Sequence, residues 1–225
     1  MPGRITPLVN EEIYHVVNRG IASQPTFIDV RNYQRAIETM FFYQNLFHPC
    51  QYSLFLVQAR KKREEILENL RNKKGFLVEI ISFCFMPNHF HFLLKQKVNH
   101  GISKFMSDFT NSYTRYFNTR AKRDGPIFKG GFKAVRIETD EQLMHVSRYI
   151  HLNPYSSFIV KTIKALMDYP YSSFQEYLGQ AEKEFCQKEV VLTLFSGIED
   201  YKKFVFDRAD YQKNLEIIKH LCLEK

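Results

Sequence analysis

The stretch from Phe83 to Lys95 reads FCFMPNHFHFLLK. Its two histidines, His89 and His91, stand one residue apart inside an apolar run. Side chains in a β-strand alternate between faces. His89 and His91 therefore share one face, and Phe90, Phe92 and Leu94 share the other, where they can enter a core. Imidazole is a good ligand for divalent metals, and two on one rigid strand leave coordination positions open for a substrate. Pro87-Asn88 reads as a turn, with Ile80 to Phe85 as the partner strand. The pattern predicts a metal held at the start of a hairpin strand. Ordinary half-exposed histidines give the same spacing, so the reading turns on a third ligand.

A third ligand is available further along. Thr139 to Asn153 reads TDEQLMHVSRYIHLN. Thr139 and Gln142 form a capping box, so a helix starts there, and Leu143, Val146 and Ile150 give it a buried face. Asn153-Pro154 is expected to end it, because the residue before proline is pushed out of the helical region. Tyr149 and Asn153 are four apart, and four helical steps return to within about 40° of the starting face. An amide oxygen from Asn153 can then join His89 and His91, and the Tyr149 phenol can attack a phosphate polarised by the metal. Tyrosine is a poor nucleophile at its ordinary pKa of about 10, so the metal's help is what this chemistry needs. A lone pair of this kind can equally be a core tyrosine and a helix-ending asparagine; the upstream histidines make the joint pattern specific. Tyr113 and Tyr116 are rival nucleophiles, but neither shares a helix face with Asn118 as Tyr149 does with Asn153.

The remaining elements follow from periodicity. Ile13 to Asn18 reads as a strand, closed by Arg19-Gly20. Asn32 to Phe47 has helical spacing and ends at Pro49. Tyr52 to Val57 is a strand or the start of a helix. Lys61 to Lys73 is a charged amphipathic helix stopped by Gly75. Ile102 to Arg120 is a strong helix with Phe105, Phe109, Tyr113 and Tyr116 along one side. Ile127 to Ile137 is a glycine-hinged basic segment leading into a strand. Strand, helix, a helical insertion, paired strands, helix, strand, helix resembles a split β-α-β plan. Helical patterns at Ile163 to Met167 and Tyr211 to Leu223 make the rest a helical C-terminal appendage.

Composition bounds the partners. The chain has 225 residues, 44% of them hydrophobic, 15% aromatic and 25% charged, which suits one domain with a sizeable core. A formal charge of +8 and a pI near 9.2 point to a polyanion. The run Tyr113 to Arg123, YTRYFNTRAKR, supplies cations for phosphates, Arg115 among them, and rings for stacking. Arg19, Lys129, Lys133 and Arg136 are the other candidate phosphate contacts. Cys50, Cys84, Cys186 and Cys222 are widely spaced, with neither a CxxC pair nor a zinc pattern, and read as reduced thiols of a cytoplasmic protein. The N-terminus lacks a signal peptide's apolar core, and no apolar run reaches transmembrane length, so no membrane partner is expected.

PNHFHFLL (Pro87 to Leu94), followed after a basic linker by SRYIHLNP (Ser147 to Pro154), resembles the HUH-type single-tyrosine transposases. The resemblance is closest to the REP-associated tyrosine transposases, relatives of the IS200-like enzymes. HVVNRG (His15 to Gly20) and YPYSSF (Tyr169 to Phe174) also look like that group, so the likeness spans residues 1–175. It implies an α+β fold: a ferredoxin-like antiparallel sheet with helices on one face, the HUH endonuclease fold, with the histidine pair on a central strand. The catalytic domain would occupy residues 1–160 and the helical appendage 161–225. It implies Mg²⁺ or Mn²⁺, single-stranded DNA cut beside a hairpin, a 5′-phosphotyrosine link and a 3′-OH able to attack a second junction. Carried over, His89 and His91 are metal ligands, Asn153 the third ligand and Tyr149 the nucleophile; glutamine is commoner at the third position. Relatives are often dimers, so a homodimer is compatible. The alternatives are a replication-initiator or relaxase-type nickase, which usually sits in a larger protein, and a domesticated, non-catalytic hairpin-DNA regulator.

Overall fold

Strand alternation builds two cores, one on each side of a single sheet. The computed structural model describes residues 7–72, 75–182, 184–207 and 209. Strand β3 (His89–Gln96) sends Phe90, Phe92 and Leu94 into one core and Leu93 into the other. Strand β1 (Ile13–Arg19) lies antiparallel to it, with Val17 opposite His91 and Arg19 opposite His89. Strand β2 (Val78–Met86) pairs with the other edge of β3, and β4 (Lys133–Ile137) pairs with β1, giving the order β2-β3-β1-β4 with every pairing antiparallel. A register shift between Ile80 and Ser82 inserts a bulge. Ile80 then serves the first core and Ile81 the second, and Phe83 and Phe85 return to the first.

Helices α1 (Val30–Tyr43) and α4 (Gly101–Ala121) cover the first face, one in each half of the split β-α-β plan. Phe109 of α4 meets Phe90 edge-on at 5.3 Å and Phe92 at 5.5 Å, the geometry that aromatic quadrupoles favour. Asp29 caps α1 by accepting from the Asn32 N–H. The helix stops at Tyr43, short of the expected Phe47, because Asn45 Nδ2 donates to the Phe41 and Phe42 carbonyls and closes its last turn. The ambiguous Tyr52 segment is a short helix, α2 (Tyr52–Leu56), and the charged stretch is α3 (Arg60–Asn72).

Helix α5 (Asp140–Ser156) lies on the opposite face. Leu143, Ile150, Leu152 and Tyr155 pack there with Ile81, Cys84, Met86, Leu93 and Ile137. Helices on one face, as expected, thus describes α1 and α4, and α5 adds a third layer. The physical reason is that β2 is apolar on both sides, and so needs cover on both. Nor does α5 stop at Asn153. It continues through Pro154 to Ser156. A proline in the last turn removes one backbone bond, and the Ser157 N–H to Asn153 carbonyl bond keeps the turn closed.

The chain after Pro154 is bound into the second core, so the expected boundary near residue 160 is no break in packing. Tyr169, Phe174, Tyr177, Val191, Tyr201 and Val205 all join it, carried by α6 (Phe174–Tyr177), α7 (Glu189–Leu192) and α8 (Ile198–Phe206). The YPYSSF segment runs beside β2: the Phe85 N–H donates to the Tyr171 carbonyl, the Ser173 N–H donates to the Phe83 carbonyl, and Tyr169 Oη donates to the Phe85 carbonyl. Buried His151 bridges the layers, with Nδ1 at 2.6 Å from Tyr201 Oη and Nε2 at 2.8 Å from Ser173 Oγ. The helical pattern at Tyr211 to Leu223 and Cys222 fall outside the described residues; Cys50, Cys84 and Cys186 are free thiols.

A fragment ending at residue 160 would expose the second core, so it should lack cooperative unfolding in a denaturant titration that the full chain shows. Burial pushes His151 down to about 3, whereas in the unfolded chain it titrates near 6.5. Below pH 6.5 the unfolded state alone takes this proton, so the His151 contribution is intact above that pH. It is lost at about 1.4 kcal/mol per pH unit as pH falls toward 3. His151→Gln should shallow the acid limb of a stability–pH curve; an unchanged slope would refute the assignment.

Candidate functional site

Two turns fix the start of β3. After β1 the chain bends at Gly20, whose N–H donates to the Asn88 carbonyl at 2.7 Å. The Thr26 and Phe27 N–H groups both donate to the Pro87 carbonyl, at 2.8 and 2.9 Å. A Cβ on Gly20 would run into the Gln24 carbonyl oxygen, which is why this turn takes glycine. The Asn-Arg-Gly and Pro-Asn-His signatures therefore clasp each other, and His89 leaves the clasp with its orientation set.

The histidines stand as the alternation predicted. Their ring centroids are 5.0 Å apart at 82°. His89 is half-buried, and its Nδ1 lies 2.6 Å from Asn88 Oδ1. An Nδ1–H donated to that oxygen leaves Nε2 as the lone-pair nitrogen. His91 is buried, and that burial, reinforced by His89, His15 and Arg19, holds its pKa well below the ordinary imidazole value.

Helix α5 delivers the other two candidates to the same place. The Asn153 side-chain amide is 3.4 Å from His91 Nε2, and the Tyr149 ring meets the His91 ring edge-on at 5.4 Å. Asn153 is 3% exposed, so its amide is held in the interior of the site and not at a solvated helix end. Four residues on two elements thus converge: His89, His91, Tyr149 and Asn153.

A fifth member is His15, the first residue of HVVNRG. Its Nε2 is 3.0 Å from His91 Nδ1, with the two rings stacked at 5.2 Å, and its ring also meets Tyr149 at 5.9 Å. Burial pushes its pKa down to about 4, so it is neutral at neutral pH and can accept. If His91 Nδ1–H donates to His15, the His91 Nε2 lone pair turns toward Asn153. Each histidine of the pair then has its Nδ1 committed to a neighbour, which fixes ring and tautomer, the arrangement that orients imidazole ligands. The signal for His15 is positional: it lies diagonally across from His91 in the β1–β3 register, which only the pairing of distant strands reveals.

Two imidazole nitrogens and one amide oxygen, reached by rotating the Asn153 side chain, make a donor set that fits a borderline divalent ion and leaves positions open. Among the described residues no group of three or more His, Cys, Asp or Glu is arranged to hold a metal; the candidate set is two histidines with an amide as the third donor.

The expected phosphate contacts divide. Arg19 stands opposite His89, and Lys133 opposite Val17, on the sheet face that carries the histidines. Lys129 adjoins them, its N–H bonded to the Arg19 carbonyl. Arg136 projects from the other face and is held by Glu12 at 2.7 Å. Arg115 is on α4, across the sheet from Tyr149. Tyr113, one rival nucleophile, is buried with its Oη donated to the Thr26 carbonyl. Tyr116 is on α4 as well, across the sheet from both histidines.

Comparison with known proteins gives a family model over part of the chain and a likeness of fold. The family model described as "Transposase IS200 like" matches residues 46–153. Among solved structures the chain is similar to a REP-associated tyrosine transposase bound to a REP hairpin, with a TM-score of 0.53 and 13% identity over 82% of this chain and 90% of that one. That likeness is one of fold. No curated protein matches. No helix among the described residues is long and apolar enough to cross a membrane. Residues 46–153, with His89, His91, Tyr149 and Asn153 among them, are thus similar to the IS200-like transposases.

Proposed function

We propose that the chain is a DNA strand transferase that cuts single-stranded DNA beside a hairpin through Tyr149. The observation that carries this is the convergence of Tyr149 and Asn153 from α5 onto His91 of β3, at 5.4 and 3.4 Å. The solved transposase of like fold is bound to a REP hairpin, which supports a hairpin-bearing substrate here.

The phenol oxygen of Tyr149 attacks phosphorus, the bond to the 3′ oxygen breaks, and the 5′ side stays on the tyrosine. The phenol gives up its proton and the leaving 3′ oxygen gains one, so one phosphodiester is exchanged for another. The reverse attack by a 3′-OH rejoins strands without further energy. His89, His91 and Asn153 are the residues that would hold Mg²⁺ or Mn²⁺, which, when bound, polarises the phosphate oxygens and eases departure of the 3′ oxygen. His15 fixes the His91 ring so that its Nε2 stays aimed at the site. Arg19, Lys129 and Lys133 supply positive charge where the strand would cross the sheet face.

The decisive test mixes protein with labelled single-stranded hairpin DNA from the flanks of its own gene, with Mg²⁺ or Mn²⁺. A protein–DNA adduct on a denaturing gel is expected, dependent on metal and lost in both Tyr149→Phe and His91→Ala. An adduct that survives Tyr149→Phe would move the nucleophile elsewhere; binding without any adduct would favour the regulator. Calorimetric titration with Mn²⁺ tests His15 separately. His15→Leu should weaken metal binding about 10- to 100-fold, and His15→Gln, whose amide can accept from His91, should recover part of it.

A further inference from the structure

On the far side of the sheet from Tyr149, α4 turns a polar face outward. Phe105, Phe109 and Tyr113 point into the core, while Asn111, Arg115 and Thr119 line two adjoining grooves. One groove, of about 680 Å³, lies between α4 and the α1–α2 region and is lined by Arg35, Gln51 and Tyr116 as well. The other, of about 630 Å³, continues along α4 past Lys122 and Arg123. From Asn111 to the end of α4 the track is about 15 Å long, at roughly 1.5 Å per residue.

Arg35 forms its floor and is an anomaly. It is 9% exposed. Its guanidinium carbon lies 4.4 Å from the Tyr52 ring centroid and 5.1 Å from that of Tyr116, so the two rings flank it. Its buried Nε has no hydrogen-bond partner among the described residues, and no carboxylate there comes within ion-pair distance of it. The neighbouring acid Glu38 is engaged by Tyr52 Oη at 2.7 Å. Burial weighs against its charge, and the nearby Glu38 carboxylate offsets this only in part; a guanidinium held flat presents its donors in the fork that phosphate oxygens match.

The rest of the track has the same bias. Among the described residues Arg115, Lys122 and Arg123 make no ion pair; Arg115 donates to the Gln51 amide and Arg123 to the carbonyls of Asp124 and Pro126. Of the acids, Asp108 is held by Lys104 at 2.8 Å and lies 3.9 Å from His48, and Asp124 lies at the exposed far end. Tyr116 is half-buried and offers a ring edge beside the cations. An open, elongated track with successive cations and a ring suits a chain of phosphodiesters better than a single small anion.

We propose that this α1–α2–α4 track is a second DNA-binding site, in which Arg35 and Arg115 hold backbone phosphates and Lys122 and Arg123 hold the next along the strand. It rests on reading the chain as a DNA strand transferase, and it adds a site that faces away from the nucleophile. The strand held here is therefore a different segment from the one being cut.

The test reads affinity against salt, using full-length protein carrying Tyr149→Phe, a fluorescent oligothymidylate without a hairpin, and the flanking hairpin DNA. Replacing Arg115, Lys122 and Arg123 by alanine together should lower the magnitude of the log–log salt slope on oligothymidylate by about 2, at roughly 0.7 per phosphate contact for a single strand. Affinity at low salt should fall more than tenfold. Arg35→Leu should weaken binding about tenfold and Arg35→Lys less; should Arg35→Leu fail to fold, the surface triple variant remains decisive. Lys61→Ala with Lys62→Ala on α3 should leave the slope unchanged. If the triple variant keeps the parent slope on both DNAs, the track is not a DNA site, while the transferase reading stands. If the parent binds neither DNA, both fall together.

Discussion

The antiparallel pairing of β1 with β3 is the constraint on which the rest depends. Its register sets Val17 against His91 and Arg19 against His89. It thereby brings His15 diagonally to His91, puts Arg19 beside the histidine pair and makes β3 a central strand covered on both faces. A slip of one residue would turn every side chain of β1 to the other face. Tyr14 and Val16, both buried in the first core, would then be presented to α5, and His15 would be driven into the phenylalanine cluster under α4. The site is therefore specified by the same apolar alternation that specifies the core.

That coupling explains how much of the fold is legible in the sequence. Alternation around His89 and His91 and the four-residue step from Tyr149 to Asn153 are local, and both survive in the structure. Proline chemistry at 154 is local too, yet it misplaces the helix end, because packing of Leu152 and Tyr155 in the second core holds α5 helical through one lost backbone bond. The packing of the segment after α5 was illegible for a different reason. Residues 169–209 are polar and irregular enough in sequence to resemble an appendage, and only their fit against β2 and α5 gives Tyr177 and Tyr201 buried partners. His15 and Arg35 are invisible for the same reason: each matters through contacts with residues far along the chain, His91 in one case and Tyr52 and Tyr116 in the other.

The two faces of the sheet also divide the chemistry. On one, burial disfavours the charged forms of His15 and His91, and the buried Asn153 amide lies beside His91. On the other, a dense aromatic layer carries α4, whose outer surface is cationic. Because the sheet and the phenylalanines of its first core stand between, the charges of α4 are poorly placed to perturb the histidines, and the two regions can differ in electrostatic character without conflict.

The YPYSSF segment alongside β2 has a consequence for association. Long, apolar β2 would otherwise present a row of backbone donors and acceptors to solvent, a template for pairing with the same strand in another molecule. The Tyr171 and Ser173 backbone groups occupy that row through the Phe85 and Phe83 partners, and the stacking of Tyr171 on Tyr33 at 3.7 Å pins the strap from outside. The sheet's other border, β4, is only five residues long and carries Lys133 and Arg136, a poor template for growth. One border of the sheet is thus covered and the other short and charged, and both disfavour strand-by-strand extension into fibrous aggregates.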